Sequence, residues 1–199
     1  TGDALHYLEE YIQNYKGVDH STDMIEIAIS KYPSNDFIVG NILDFKDVNN
    51  TKYDIVLSAA DTVNHLLDKS SWILFFNNAY DLLEKNGVFI FDMCTVHDHS
   101  NNWVNYTDVI DQPNFTWIRK CSYSIENKLA TTHNLFFILE NTSNFYKKEY
   151  DVINQISFEV EDVILMLKDN KYSDISVYDL HFGNQINEKT SVATFFCKK

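Results

Sequence analysis

Strand and helix signals alternate through residues 3–95, and no other feature limits the possible folds as strongly. Ala4, Leu5, Leu8, Tyr11 and Ile12 fall at helical spacing, which predicts a helix over residues 3–14. A short strand ending in Gly17-Val18-Asp19 follows. Ser21 reads as the N-cap of a second helix, with Met24, Ile25, Ala28 and Ile29 as its apolar stripe up to Lys31, ahead of Pro33. "DFIVGN" and "YDIVLSA" read as strands, the second apolar enough for burial on both faces. "SSWILFFNNAYDLLEKNG" predicts a helix with Gly87 as its C-terminal cap, and "VFIFDMCT" a further strand. Such alternation points to βαβ crossovers and a parallel sheet.

The texture then changes. "FTWIRKCSYSI", "LATTHNLFFILE" and "FYKKEYDVINQISFEV" carry no helix signal and read as three strands of an antiparallel meander over residues 115–158. "EVEDVILMLKDN" predicts a helix, and "SDISVYDL" and "TSVATFFCKK" a closing strand pair. The expected fold is α/β, with an antiparallel β insertion. Residues 1–99 form its core, 100–158 the insertion or cap, and 159–199 return to the core.

Charge narrows the partners. The chain has 29 acidic against 16 basic residues, a net charge of -13, and Arg119 is its one arginine. A nucleic acid or an anionic membrane would be repelled, and the forked donors that grip phosphate are nearly lacking. No run reaches the roughly 18 apolar residues of a membrane span. Cys94, Cys121 and Cys197 are far apart, which suits reduced thiols in a cytoplasmic protein. Asn-x-Ser/Thr at Asn49, Asn105, Asn114 and Asn141 is read as chance in an Asn-rich chain.

In a doubly wound sheet, ligands collect at the carboxyl ends of the strands. Here those ends are Asp19, Asn41 and Ser58–Asp61. Asp19 closes its strand 17 residues after Gly2, a spacing that suits a carboxylate accepting both hydroxyls of a ribose; a helix cap or surface group is the alternative.

The segments "TG…GVDHSTDMIEIA…VGNILDF…YDIVLSAADTVNHL…LLEKNGVFIFDM" resemble the class I, Rossmann-like S-adenosylmethionine-dependent methyltransferases over residues 1–95. The closing "ATFFCKK" resembles the family's last strand. The resemblance implies a doubly wound, mostly parallel sheet with the insertion after the family's fifth strand, and S-adenosylmethionine as cofactor. Gly2 would end the cofactor's glycine turn. Asp19 would take the ribose hydroxyls with His20 beside it, and Met24 would cover the adenine or else face the core. Asn41, where many members have Asp, and Ile42 would meet the adenine edge. Ser58 and Ala59 would meet the methionine amino group. The resemblance also places the family's first strand, earlier glycines and an upstream helix before residue 1.

The loop "SAADTVNHLLD" would border the acceptor, with Asp61 and Asn64 as binding groups. His65 would orient or deprotonate the acceptor, or else hydrogen-bond backbone at a helix start. His97 and His99 flank Asp98, but no further ligand is nearby, so no metal is expected. Trp103, Tyr106, Trp117 and Tyr123 would roof the acceptor pocket or pack the meander. Arg119 would hold a structural ion pair or an acceptor carboxylate.

The implied activity is methyl transfer to nitrogen or oxygen of a small-molecule acceptor, and the acidic surface suits an amine. The alternative is a truncated, non-catalytic Rossmann-like binding module. A dehydrogenase shares the Gly-then-acid logic but fits the "S-x-x-M" and "YDIVLSAADTVNHL" segments less well. An exposed meander edge would suit a homodimer.

Overall fold

The computed structural model describes residues 1–46, 50–140 and 145–199. The sequons at Asn49 and Asn141 lie outside them. The chain divides into two compact units, Thr1–Thr51 and Lys52–Lys199.

The first unit holds helix α1 (Asp3–Leu8), strand β1 (Lys16–Asp19), helix α2 (Thr22–Lys31) and strand β2 (Asp36–Val39). Gly2 precedes α1 in the left-handed region, at φ 72°. That conformation strains any residue with a Cβ. The predicted helix over 3–14 stops at Leu8, because its apolar stripe finds no partner beyond that point. Leu5 is buried, whereas Tyr11 is 83% exposed, and one short turn without packing does not propagate. Ser21 caps α2 as expected, its Oγ accepting the Met24 amide at 3.3 Å. Strands β1 and β2 pair in parallel with Gly17 opposite Phe37 and Asp19 opposite Val39.

The second unit opens with strand β3 (Tyr53–Ser58), a 3-10 turn (Thr62–His65), helix α3 (Lys69–Leu82) and strand β4 (Leu83–Cys94). Helix α3 starts on Asp68, whose carboxylate accepts the Ser71 amide at 2.8 Å and the Ser71 hydroxyl at 2.7 Å. These bonds and one from Ser70 hold its carboxyl down at about 2. Trp72, Phe75, Phe76 and Ala79 recur on one face, and all four are buried.

The helix does not run to Gly87. Leu83 takes an extended conformation and is buried, β4 begins there, and the left-handed position is Asn86, at φ 67°. Burying Leu83 outweighs continuing a helix over the polar Glu84-Lys85-Asn86.

Helix α4 (Val96–Asn101) leads into strands β5 (Tyr106–Gln112), β6 (Phe115–Ser124), β7 (Leu129–Leu139) and β8 (Tyr146–Ile156). The chain closes with helix α5 (Val160–Asp169) and strands β9 (Ser173–Asp179) and β10 (Val192–Lys198). One sheet has the order β3-β4-β10-β9. In it β3 runs parallel to β4, and β10 antiparallel to β4 and β9. β3 is its edge strand, and Ile55 and Leu57 are exposed rather than covered on both faces. The core of the unit is aromatic. Phe91 stacks on Phe89 at 4.8 Å and on Phe195 at 4.6 Å, with Trp72 and Phe76 fully buried beside them.

The meander is a separate antiparallel sheet, β5-β6-β7-β8, with four strands rather than three. Its register puts Trp117, Arg119, Cys121 and Tyr123 on one face with Asn134, Thr132, Asp151 and Gln155.

Candidate functional site

In the first unit the sequence-predicted residues gather at the carboxyl end of the two parallel strands. The Asp19 carbonyl accepts the Gly40 amide at 2.8 Å, so Asp19 and Asn41 follow adjacent strand ends. The Asp19 carboxylate is half-buried. Its Oδ1 accepts the Ser21 amide at 2.9 Å and lies 3.4 Å from His20 Nδ1, while the His20 side chain is 90% exposed. Met24 is 43% exposed on α2. Asn41 forms a local turn, with Oδ1 accepting the Leu43 amide at 2.9 Å and its carbonyl accepting Asp44 at 3.0 Å. Ile42 is half-buried in that turn. A surface cleft is lined here by Ile38, Val39, Asn41, Phe45 and Lys46.

In the second unit, Ser58 ends β3 with its Oγ buried and, among the described residues, without a hydrogen-bond partner, and Ala59 is exposed. The chain then turns through two consecutive left-handed residues, Ala60 at φ 59° and Asp61 at φ 49°. Non-glycine residues hold that conformation only where the surroundings compensate. Asp92 does so from β4. Its Oδ2 accepts the Ala60 amide at 3.0 Å and its Oδ1 the Asp61 amide at 2.6 Å.

This turn aims Asp61 at the end of β8. Gln155, 2% exposed, donates from Nε2 to Asp61 Oδ2, and the same nitrogen lies 3.1 Å from His65 Nε2. Burial pushes the Asp61 carboxyl above its usual range; the Gln155 bond and His65 pull it down, and Asp92 and Asp98 push it up again.

Asn64, assigned from sequence to the acceptor, is completely buried and bonded to the framework. Its Nδ2 lies 3.0 Å from the Cys94 carbonyl, 2.7 Å from that of Ile156 and 3.2 Å from Ser157 Oγ, and its Oδ1 accepts the Cys94 amide at 2.9 Å. It clamps the end of β4 to the end of β8.

His99 is fully buried behind this clamp, its Nδ1 2.7 Å from Ser157 Oγ, and burial drives its ring toward the neutral form. Asp98 accepts from Asn102 Nδ2 at 2.6 Å and from Trp103 Nε1 at 2.9 Å, whereas His97 Nδ1 lies 3.2 Å from Asn101 Nδ2. No group of three His, Cys, Asp or Glu side chains among the described residues has the geometry of a metal site.

Arg119 takes the ion pair the sequence offered as one of two readings, 3.2 Å from Asp108 Oδ2. Its guanidinium lies over the Tyr106 and Trp117 rings at 5.5 and 5.3 Å. Trp117 donates from Nε1 to Asn134 Oδ1 at 2.9 Å and stacks on Phe136.

Three polar residues central to this arrangement escaped the sequence reading: Asp92, Gln155 and Ser157. An isolated acid inside "VFIFDMC" is a usable signal for Asp92, since a buried carboxylate in an apolar strand needs donors. Nothing local marks Gln155 or Ser157, whose roles depend on where β8 ends.

Residues 1–87 match the family described as a methyltransferase domain. A provisionally named methyltransferase of Geobacillus sp. (strain WCH70) is 23% identical over 189 residues, covering 92% of this chain and 74% of the relative. Among solved structures, an S-adenosylmethionine-dependent methyltransferase from Clostridium acetobutylicum ATCC 824 superposes with a TM-score of 0.87 at 21% identity, over 99% of this chain and 79% of that one. The sugar N-methyltransferase KedS8 from Streptoalloteichus sp ATCC 53650 gives 0.78 at 16% identity, over 100% and 77%. At such identities the structural likenesses establish a shared fold.

Proposed function

We propose that this chain, whose fold is that of S-adenosylmethionine-dependent methyltransferases and whose residues 1–87 match a methyltransferase domain, methylates nitrogen or oxygen of a small-molecule acceptor. The observation that carries the acceptor side is the left-handed Ala60–Asp61 turn. It is held by Asp92 and joined through Gln155 to His65.

Residues 1–99 and 159–199 serve as the cofactor-binding core, and 100–158 as a cap. Each unit offers donors and acceptors suited to part of the cofactor. Asp19 offers a half-exposed carboxylate to the ribose hydroxyls, with His20 alongside. Exposed Met24 would cover the adenine, and Asn41 and Ile42 would meet its edge. In the first unit Gly2 would close the glycine turn; in the second the Ser58 and Ala59 carbonyls would take the methionine amino group, and a Ser58 Oγ without a hydrogen-bond partner among the described residues supports a polar ligand there.

S-Adenosylmethionine supplies a methyl group already activated by its sulfonium. The chain has only to bind, orient and desolvate the nucleophile and accept its proton. Asp61 and His65 are the groups that would grip the acceptor, with Trp117 and Arg119 on the meander face as further contacts. Asp61 and the net charge of -13 favour an amine, as do the sugar N-methyltransferase fold neighbour and the absence of any demand for a strong base. The same charge argues against nucleic acid and anionic membranes. No helix among the described residues is long and apolar enough to cross a membrane. Three buried free cysteines accord with a cytoplasmic setting, and the exposed meander face with a homodimer.

Calorimetric titration with S-adenosylmethionine and S-adenosylhomocysteine tests the reading. Binding is expected, followed by labelled methyl transfer in an amine and hydroxy-metabolite screen. Titrations without heat up to millimolar ligand would overturn it.

A further inference from the structure

The polar cluster of the second unit sets hydrogen positions by elimination. The Asp61 carboxylate can only accept, so the Gln155 amide must turn its NH2 group toward Asp61 Oδ2. That fixes which end of the amide is nitrogen. The same Nε2 lies 3.1 Å from His65 Nε2. An amide nitrogen has no lone pair to offer, so His65 Nε2 must be the acceptor. A neutral His65 therefore carries its hydrogen on Nδ1.

The far side of Gln155 faces the buried His99 ring. Gln155 Oε1 and His99 Nε2 are both buried without a hydrogen-bond partner among the described residues, and the two side chains interact. His99 is gripped on its other nitrogen by Ser157, which is itself held by Asn64 and the Cys94 carbonyl. Flipping the amide would let its NH2 bond His99 Nε2 but would set Oε1 against the charged Asp61 carboxylate, and the contact with the charge outweighs the bond to a neutral ring. The Asp61 carboxylate thus holds Gln155 in one orientation.

We propose that Gln155, supplied by the meander, is a positioning residue that locks His65 in its Nδ1–H form and presents Asp61 as the group that receives the acceptor's proton. This rests on the methyltransferase reading for its chemistry. The acceptor nitrogen lone pair forms the new N–C bond as the S–C bond breaks and its electron pair stays on sulfur. The N–H proton then goes to the Asp61 carboxylate and on to solvent. His65 has no free lone pair for that proton, because Gln155 occupies Nε2 and Nδ1 carries hydrogen; it instead donates a hydrogen bond from Nδ1. Among the described residues, Asp61 Oδ1 takes no hydrogen bond from the protein, so the carboxylate keeps acceptor capacity.

Two-bond 1H–15N correlation spectra of the uniformly labelled full chain, without cofactor, report the tautomer directly. At about pH 8.5 histidines are neutral, and the His65 signals are assigned by their loss in His65→Asn. The wild type is expected to show Nδ1–H. Gln155→Glu places a carboxylate oxygen opposite Nε2 and should invert His65 to Nε2–H, whereas Gln155→Leu should release it to a mixture. A wild-type His65 in the Nε2–H form, or an Nδ1–H signal unchanged in both variants, overturns the proposal.

For the proton step, Asp61→Asn is expected to lower kcat by about 100-fold or more and His65→Asn by about 10-fold. The reverse order overturns it. Because the spectra need no cofactor, a protein that shows the expected tautomers but binds no S-adenosylmethionine separates failure of the function from failure of this assignment.

Discussion

Asp19 and His99 show how one side chain's environment sets a measurable consequence. Asp19 keeps part of its carboxylate in solvent while Oδ1 holds the Ser21 amide. Charge-assisted hydrogen bonds contribute roughly 1.5–3 kcal/mol each, so Asp19→Ala should weaken S-adenosylmethionine binding by about 10- to 100-fold in calorimetry. Unchanged affinity would refute the ribose role. His99 is a stability matter. Burial lowers its pKa in the folded chain, opposed by Asp98 and by Gln155. The unfolded chain therefore takes up the proton first as pH falls. Stability from this group is complete above about pH 6.5 and is lost as pH drops from there through the lower folded value. The melting temperature should fall between pH 7 and pH 5, and His99→Gln should flatten that fall; equal slopes in both proteins would count against a neutral buried imidazole. Asn64 exposes a limit of sequence reading at this scale. A polar residue in a loop after a strand looks like a ligand group, and only the fold shows both ends of its amide consumed by β4 and β8.

At the scale of elements, periodicity located most helices and strands, and their boundaries answered to burial. The α3 stripe was legible because Trp72, Phe75, Phe76 and Ala79 repeat at 3.6-residue spacing. Its end was not, because whether Leu83 caps a helix or starts a strand depends on a pocket formed by distant chain. The β1–β2 pair offers a sharper test. Gly17 lies opposite Phe37, and a Cβ on Gly17 would fall 2.6 Å from Phe37 Cδ1. Gly17→Val adds β-propensity yet should destabilise by about 1–3 kcal/mol through overpacking, read as a lower urea midpoint; a stabilised variant would mean that the ring can leave. In the second unit, Phe91 stacks on two phenylalanines. Phe91→Ala should cost about 3–5 kcal/mol.

For the whole molecule, the division of buried apolar residues predicts uneven local stability. Among the described residues, the first unit buries Leu5, Ile25 and Ala28, whereas the second buries Trp72, Phe76, Phe89, Phe91, Leu167, Phe195 and others. A two-stranded sheet over so small a core is marginal. Amide hydrogen exchange should be fastest to complete in β1 and β2 and slowest in β4 and β10; comparable protection in both units would contradict this.

The chain's sequence determined the α/β class, the alternation of elements and the place of Asp19 at a strand end, because those follow from local periodicity and short spacings. Tertiary structure alone decided that Gln155 meets Asp61 and His65, residues 90 or more positions away. It likewise decided that Asp92 holds the Ala60–Asp61 turn and that His99 is buried. Those facts depend on where β4 and β8 end beside each other, and no local pattern encodes the meeting of two distant strand ends.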